Sequence, residues 1–291
     1  MDESIDYITA LSHAKINLRL DVLGKREDDY HEIYSIIQAL DFCDEISFRR
    51  TADESITIKC NRDDIPTGDD NLIAMAFHLL KDRCGFSGGL SIDLNKRIPP
   101  GSGLGGGSSN CAVAIRAIND IFLLGLDGGD MMTLGAELGS DVPFFFGTGS
   151  SEATGRGEIV KDIELPIDYG VILVIPDIKI STRDVYNTSR IALTKKNGTG
   201  RFSIQQNSTG IADLFGLVSN DLEEAVFRIC PAVRAVWDVL KACNLNCISM
   251  TGSGSTLFVL ERLECFDRSL GNVRKRLSGC LIAKARPVRL A

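Results

Sequence analysis

The residues equipped for chemistry lie in a few short runs. The densest is Gly101-Ser102-Gly103-Leu104-Gly105-Gly106-Gly107-Ser108-Ser109-Asn110, directly after Pro99-Pro100. Five of the seven residues at 101–107 are glycine. Glycine reaches positive φ and has no Cβ, so its backbone can approach a ligand closely. An apolar pattern with helical spacing follows at Ala112, Val113, Ile115, Ala117 and Ile118. A glycine loop opening a helix offers free N–H groups and the positive end of the helix dipole, a combination suited to phosphate. Ser108, Ser109 and Asn110 stand where the first turn is expected, as helix caps or as ligands of phosphate and its metal.

Three familiar loops can be tested against this run. A Walker A loop needs lysine where Gly107 stands, although Gly101 and Gly106 have its glycine spacing. A dinucleotide fingerprint matches formally at Gly101, Gly103 and Gly106, but that fingerprint opens a βαβ unit and is weak alone. A protein-kinase loop continues into a strand, whereas a helical pattern follows here.

Two charged residues sit in apolar company. Lys15 lies between Ala14 and Ile16, and Asp141 precedes the run Val142–Phe146. Both could be ordinary surface charges. As a pair they would satisfy each other near a core, where an unpaired charge is costly. Asp28-Asp29-Tyr30-His31-Glu32 places two rings at an expected hairpin turn, where they could stack on a base or sugar or be simply exposed. Gly252-Ser253-Gly254-Ser255 is a second glycine loop, between two expected strands.

The positioning elements can be read from periodicity. Alternation predicts strands over 16–22, 45–49, 56–60 and through Leu90, Ile92 and Leu94. Leu72, Met75, Ala76, Leu79 and Leu80 predict a helix face, capped by Asp70 or Asn71 and ended by Gly85. Further helices are expected near 112–124, 130–138, 182–193, 211–217, 222–228, 232–243 and 266–277, with a polar loop at 195–208. Strands are expected at 170–175, 246–250, 256–260 and 281–285. The mixed order argues for an α+β fold, with a division near residue 160.

Composition sets bounds. The chain has 291 residues and a formal charge of −7, a poor basis for nucleic-acid binding. Its nine cysteines are irregularly spaced and form no CxxC pair, which argues for reduced, mostly buried thiols in the cytoplasm. No signal peptide and no membrane span is expected.

Taken together, Ala14-Lys15-Ile16-Asn17-Leu18, Asp29-Tyr30-His31, Pro99–Asn110, Gly139-Ser140-Asp141-Val142-Pro143 and Thr251-Gly252-Ser253-Gly254 resemble the GHMP kinases, in the same order along the chain. The likeness runs from about residue 10 to 285. The Tyr-His and Ala-Lys-Ile-Asn-Leu segments select the branch whose acceptor is a cytidine diphosphate-linked methylerythritol. The resemblance implies a two-domain fold: an N-terminal ATP-binding domain (1–160) like the second domain of ribosomal protein S5, and a ferredoxin-like C-terminal domain (161–291). It implies ATP with Mg2+ as co-substrate and phosphorylation of the acceptor's 2-hydroxyl. Asp141 matches the catalytic base and Lys15 its partner. Pro99, Pro100, Gly101, Ser102, Gly103, Leu104, Gly105, Gly106, Gly107, Ser108 and Ser109 match the ATP phosphate loop. Lys96 and Asn71 match positions lining the adenosine pocket. Tyr30 and His31 match the cytosine site, Asn17 a polar substrate contact, and Tyr186 an aromatic closing on the cytosine ring. Thr182 and Thr251–Ser253 are further substrate-side matches. No carboxylate motif marks a metal ligand, so none is assigned. The expected partners are small molecules, with the chain a monomer or weak homodimer.

Three other readings stand beside this one. Another small-molecule kinase of the superfamily, of homoserine or mevalonate type, would have no use for a base-stacking Tyr30-His31. A nucleotide-binding protein without activity would not need Lys15 and Asp141. An oxidoreductase would rest on the glycine fingerprint alone.

Overall fold

A computed structural model describes residues 5–188, 210–245 and 247–290. The expected loop at 195–208 and the end of the expected helix at 182–193 lie outside the described residues.

The first sheet grows from a long antiparallel hairpin, β1 (Tyr7–Lys25) and β2 (His31–Thr51). Periodicity predicted only the middle of one and the end of the other. The pairing shifts register between His13 and Ala14, Asn17 and Arg19, and Val22 and Gly24. Each shift breaks the alternation by which a strand is recognised. β3 (Ile56–Cys60) and β4 (Gly89–Asn95) extend the sheet beyond β2. β5 (Ser150–Thr154) pairs with β2 and with β6 (Ile159–Asp162). These two short, polar strands carry no periodic signal and were not expected.

Helices α1 (Leu72–Cys84), α2 (Gly106–Ile121) and α3 (Gly128–Leu138) cover one face. Ile73, Phe77, Ile115 and Ile118 pack there on Phe48 and Ile92. The extent of α1 is as expected: Asn71 caps it by accepting from Ile73 N at 2.9 Å, and Gly85 ends it at φ 67°. Its buried face is as expected only at Ala76 and Leu80. Ile73, Ala74, Ala76, Phe77 and Leu80 are buried, while Met75 is 39% exposed. The helix turns its β-branched and aromatic residues inward, where they remove more apolar surface from water.

The second sheet follows with β7 (Tyr169–Pro176). The chain then forms α4 (Thr182–Thr188), α5 (Ile211–Leu217), and a two-residue β8 (Ser219–Asn220) that returns to β1. Next come α6 (Glu223–Ile229), α7 (Pro231–Lys241), β9 (Cys247–Met250), β10 (Leu257–Arg262), α8 (Leu263–Arg276) and β11 (Cys280–Ala285). The order β11-β7-β10-β9, antiparallel throughout, is the ferredoxin-like arrangement.

The sheets stack face to face. Ala14, Ile16, Leu18 and Ile36 meet Val171, Leu173 and Phe258. On the far side, Ile172, Val174 and Val259 meet Val226, Val233 and Val273 of the helices. The result is four layers: helix, sheet, sheet, helix. Every residue of β7 is buried, so it reads as an unbroken apolar run. All nine cysteines are free; four are buried, four half-buried and one exposed, so fewer are buried than expected. No described helix is long and apolar enough to cross a membrane.

Candidate active site

Alternation in β1 sorts its side chains between two jobs. Ala14, Ile16 and Leu18 sink between the sheets. Lys15 and Asn17 point the other way, into a cavity of about 860 Å³. The glycine loop forms one wall of it. Gly101, Gly103 and Gly105 are all left-handed, at φ 66°, 80° and 69°. A Cβ on Gly103 would stand 2.5 Å from the Thr251 carbonyl oxygen, because the second glycine loop packs directly against the first. A Cβ on Gly105 would stand 2.8 Å from Lys15 Cγ.

Helix α2 begins earlier than periodicity predicted. Gly105 is its N-cap, and no side chain caps it. The first intrahelical bond runs from Ser109 N to Gly105 O at 2.9 Å. The N–H groups of Gly106, Gly107 and Ser108 therefore have no partner within the helix. Ser108 lines the cavity. Ser109 is turned inward, where its hydroxyl accepts from Ser12 at 2.8 Å, and Asn110 donates to Ser12 at 2.7 Å. Neither caps the helix, and neither lines this cavity.

Asp141 follows α3 in a tight turn, held by Val142 N donating to Gly139 O at 3.1 Å. Val142, Phe144 and Phe145 are buried in the first core, which leaves the Asp141 carboxylate facing the cavity. Its Oδ2 lies 3.2 Å from Lys15 Nζ. The ammonium is almost fully buried and also donates to Asn17 Oδ1 at 2.6 Å. Asn17 is fixed in turn: its amide donates to Ser35 at 2.8 Å, and its backbone N–H donates to Thr251 Oγ1 at 3.0 Å. The hydroxyl of Thr251 donates to Gly103 O at 3.2 Å, tying both glycine loops to the Lys15 site.

The opposite end of the cavity is aromatic. His31 and Tyr186 stack at 4.9 Å between centroids, with planes 27° apart. Burial pushes the Tyr186 hydroxyl up to about 12, with the Asp141 charge adding to it. Burial also holds the His31 imidazole below its ordinary value, with Lys25 acting the same way. Tyr30 is exposed at the turn of the β1–β2 hairpin, with the Arg156 guanidinium 4.8 Å over its ring. Thr182 and Ser253 share a hydrogen bond of 2.8 Å across the mouth.

Lys15, Asn17, Tyr30, His31, Asp141, Thr182 and Tyr186 thus share one cavity with Gly101, Gly103, Gly105 and Ser108. The other expected residues do not line it: Pro99, Pro100 and Gly107 are partly or fully exposed outside it, and the rest are buried. Leu104 is fully buried, and Ser102 donates to Pro99 O at 2.7 Å. Lys96 is buried against Asp44, and Asn71 is occupied by the α1 cap and by donating to Pro66 O at 2.6 Å. Sequence reasoning missed the β5–β6 turn. Gly157 there has φ 111°, and a Cβ on it would come within 3.9 Å of Asp141 Oδ1; Arg156 lines the cavity beside it. The closely spaced glycines of Gly155-Arg156-Gly157 were the available signal.

A glycine loop at a helix start, beside an ion pair between a buried lysine and a half-exposed aspartate on this layered fold, is the arrangement expected of a small-molecule kinase of the GHMP class. Residues 71–149 match the model of the GHMP kinases N-terminal domain. A 4-diphosphocytidyl-2-C-methyl-D-erythritol kinase of Shouchella clausii (strain KSM-K16) is 37% identical over 262 residues, 90% of this chain and 88% of that one. One from Geobacter sp. (strain M21) is 36% identical over 278 residues, 96% and 98% of the two chains. A crystal structure of 4-(cytidine 5'-diphospho)-2C-methyl-D-erythritol kinase superposes with a TM-score of 0.76 at 30% identity, covering 96% of this chain and 99% of that one. A homoserine kinase from Cytophaga hutchinsonii has a TM-score of 0.77 at 16% identity, covering 100% and 97%, which is a likeness of fold alone. The chain belongs to the 4-diphosphocytidyl-2-C-methyl-D-erythritol kinase family.

Proposed function

We propose that this protein transfers the γ-phosphoryl group of ATP to the 2-hydroxyl of 4-diphosphocytidyl-2-C-methyl-D-erythritol, in non-mevalonate isoprenoid precursor synthesis. The observation that carries the reading is the Lys15–Asp141 pair, set in one cavity between a glycine loop and an aromatic stack. The loop at 101–107 and the free N–H groups of Gly106, Gly107 and Ser108 receive the ATP phosphates. Adenosine is placed beyond the loop, with no direct contact assigned to Asn71 or Lys96, whose polar groups are engaged in the α1 cap and with Asp44. Tyr30, His31 and Tyr186 take the cytosine, with Asn17 and Thr182 on the acceptor side.

Asp141 holds the acceptor hydroxyl and receives its proton as that oxygen bonds to the γ-phosphorus. The bond from phosphorus to the bridging oxygen breaks, and ADP leaves. Lys15 orients Asp141 and offsets charge on the transferring group, where a fixed cation in a dry site counts most. Magnesium fits as a companion of ATP, because it keeps several waters and needs only one or two protein oxygens. Among the described residues no cluster of three metal-ligating side chains exists, and the cavity offers the Ser108 hydroxyl and the Asp141 carboxylate. When bound, the ion would neutralise phosphate charge. We place the protein in the cytoplasm, with a domain division near residue 160.

The test is a coupled ADP-release assay with a panel of acceptors: the cytidyl substrate, homoserine, mevalonate and galactose. Turnover is expected with the cytidyl substrate alone. Turnover with another acceptor and none with the first would overturn the reading.

A further inference from the structure

Asp44 lies in β2 with no solvent exposure, and nothing in the sequence pattern singles it out. Its Oδ1 accepts from the backbone N–H groups of Arg97 at 2.7 Å and Ile98 at 2.8 Å. Its Oδ2 accepts from the Lys96 ammonium and from the Asn110 amide, the latter at 2.9 Å. Arg97 and Ile98 stand immediately before the glycine loop. Asn110 stands in the helix that the loop enters, and is joined through Ser12 to Ser109. One carboxylate therefore grips both ends of the segment that contains the loop.

That grip answers a physical problem. Glycine loses more conformational freedom on ordering than any other residue, so a loop this rich in glycine does not hold its own shape. Fixed ends reduce the shapes open to it, and pre-organisation cuts the cost of ordering on binding. A buried carboxylate is tolerated only when its oxygens are fully satisfied, and four donors do so here.

We propose that Asp44 is a positioning residue for the nucleotide: it pins both ends of the glycine loop, so that the N–H groups at 106–108 are aligned before ATP arrives. It touches neither substrate. The proposal rests on the loop being the ATP phosphate site.

The test compares Asp44→Asn, Lys96→Met and the wild type, each as the full chain. Calorimetry measures ADP and cytidine 5'-diphosphate separately, and circular dichroism monitors folding. Asp44→Asn keeps the shape but turns an NH2 toward two of the four donors. Its Kd for ADP should rise about 10- to 100-fold, the scale of misplacing a functional group by about 1 Å. Its Kd for cytidine 5'-diphosphate should stay within about twofold, because that end of the cavity shares no partner with Asp44. Lys96→Met leaves Asp44 three donors and should weaken ADP by less than about fivefold, since the carboxylate stays hydrogen-bonded.

Unchanged ADP affinity in Asp44→Asn would overturn the proposal. So would an equal loss of both ligands, which marks general damage, or a Lys96→Met effect as large as that of Asp44→Asn, which marks Lys96 as a direct contact. If Asp44→Asn does not fold, Asn110→Ala releases the helix-side tether together with its bond to Ser12, and Ser12→Ala, which removes that bond and the one to Ser109 but leaves Asn110 on Asp44, is the control. A severalfold weaker ADP affinity is then expected for Asn110→Ala than for Ser12→Ala, and no difference between them overturns the pinning. A wild type that binds no ADP would overturn the phosphate-site reading and the pinning together. Normal wild-type binding with an insensitive Asp44 variant overturns the pinning alone.

Discussion

Replacing Lys15 with methionine removes the ammonium and keeps most of the side-chain length. The magnitude follows from the geometry. At 3.2 Å from Asp141 Oδ2, an effective dielectric of about 20 gives a gross attraction of about 5 kcal/mol. The carboxylate is 36% exposed, so water screens part of that attraction and replaces part of it once the lysine is gone. The remainder is comparable to losing one pre-organised charge-stabilising donor, about 2.7–4 kcal/mol or 10²–10³ in kcat. The ground state loses less. Asn17 Oδ1 lies 3.3 Å from the Thr251 hydroxyl, which can turn its one proton from Gly103 O toward it, and Asp141 can hydrate. Stability should therefore fall by no more than about 1 kcal/mol, a Tm shift of about 2–4 °C. The assay is ADP release at saturating ATP and acceptor, beside a thermal melt and the ADP Kd. A folded Lys15→Met enzyme with kcat within about threefold of wild type would refute the assignment of Lys15 to the reaction, because a tenfold effect needs only 1.4 kcal/mol.

Asp141→Asn should lower kcat by about 10²–10⁴, with ADP affinity retained, if the carboxylate receives the proton; a near-normal kcat would move that role elsewhere. Gly103→Ala and Gly85→Ala should separate two costs of a side chain. Both positions are left-handed, but a Cβ at Gly85 meets nothing within 4 Å, whereas one at Gly103 meets the Thr251 carbonyl at 2.5 Å. Gly85→Ala should cost only about 1–2 kcal/mol, and Gly103→Ala about 1–3 kcal/mol more, read as a larger drop in Tm; equal drops would contradict the contact between the loops. His31 should titrate below its ordinary value of about 6.5, because burial and Lys25 both disfavour its charged form. Its imidazole is then neutral at pH 7, and the unfolded chain takes up the proton first as pH falls, so this contribution to stability is lost as pH falls from about 6.5 toward the folded value. An NMR titration of the ring checks the direction; an inflection at or above pH 7 would contradict it.

The family of folds leaves acceptor choice open. A homoserine kinase superposes as well as a cytidyl-substrate kinase does, with TM-scores of 0.77 and 0.76. In the proposed reading, what separates them in this chain is side-chain chemistry at the aromatic end of the cavity. That chemistry was half visible in the sequence: Tyr30-His31 stood out as a pair of rings at a turn. Nothing local showed that His31 would stack on Tyr186 of α4, because that contact depends on how the second sheet docks on the first.

What the sequence determined alone is what short-range physics encodes. The glycine run, the ends of α1 at Asn71 and Gly85, and the unbroken apolar strand β7 depend on neighbours along the chain. The tertiary structure decided what depends on closure. It set which face of α1 is buried, since that depends on what Phe77 meets. It joined Lys15 to Asp141 and Thr251 to Gly103, contacts between segments far apart in the chain. It also made Asp44 the anchor of the glycine loop, although in the run Asp41-Phe42-Cys43-Asp44-Glu45 it is one acidic residue among three. A carboxylate becomes a structural centre only when burial strips it of water and four donors converge on it, and no pattern of neighbours along a chain records that convergence.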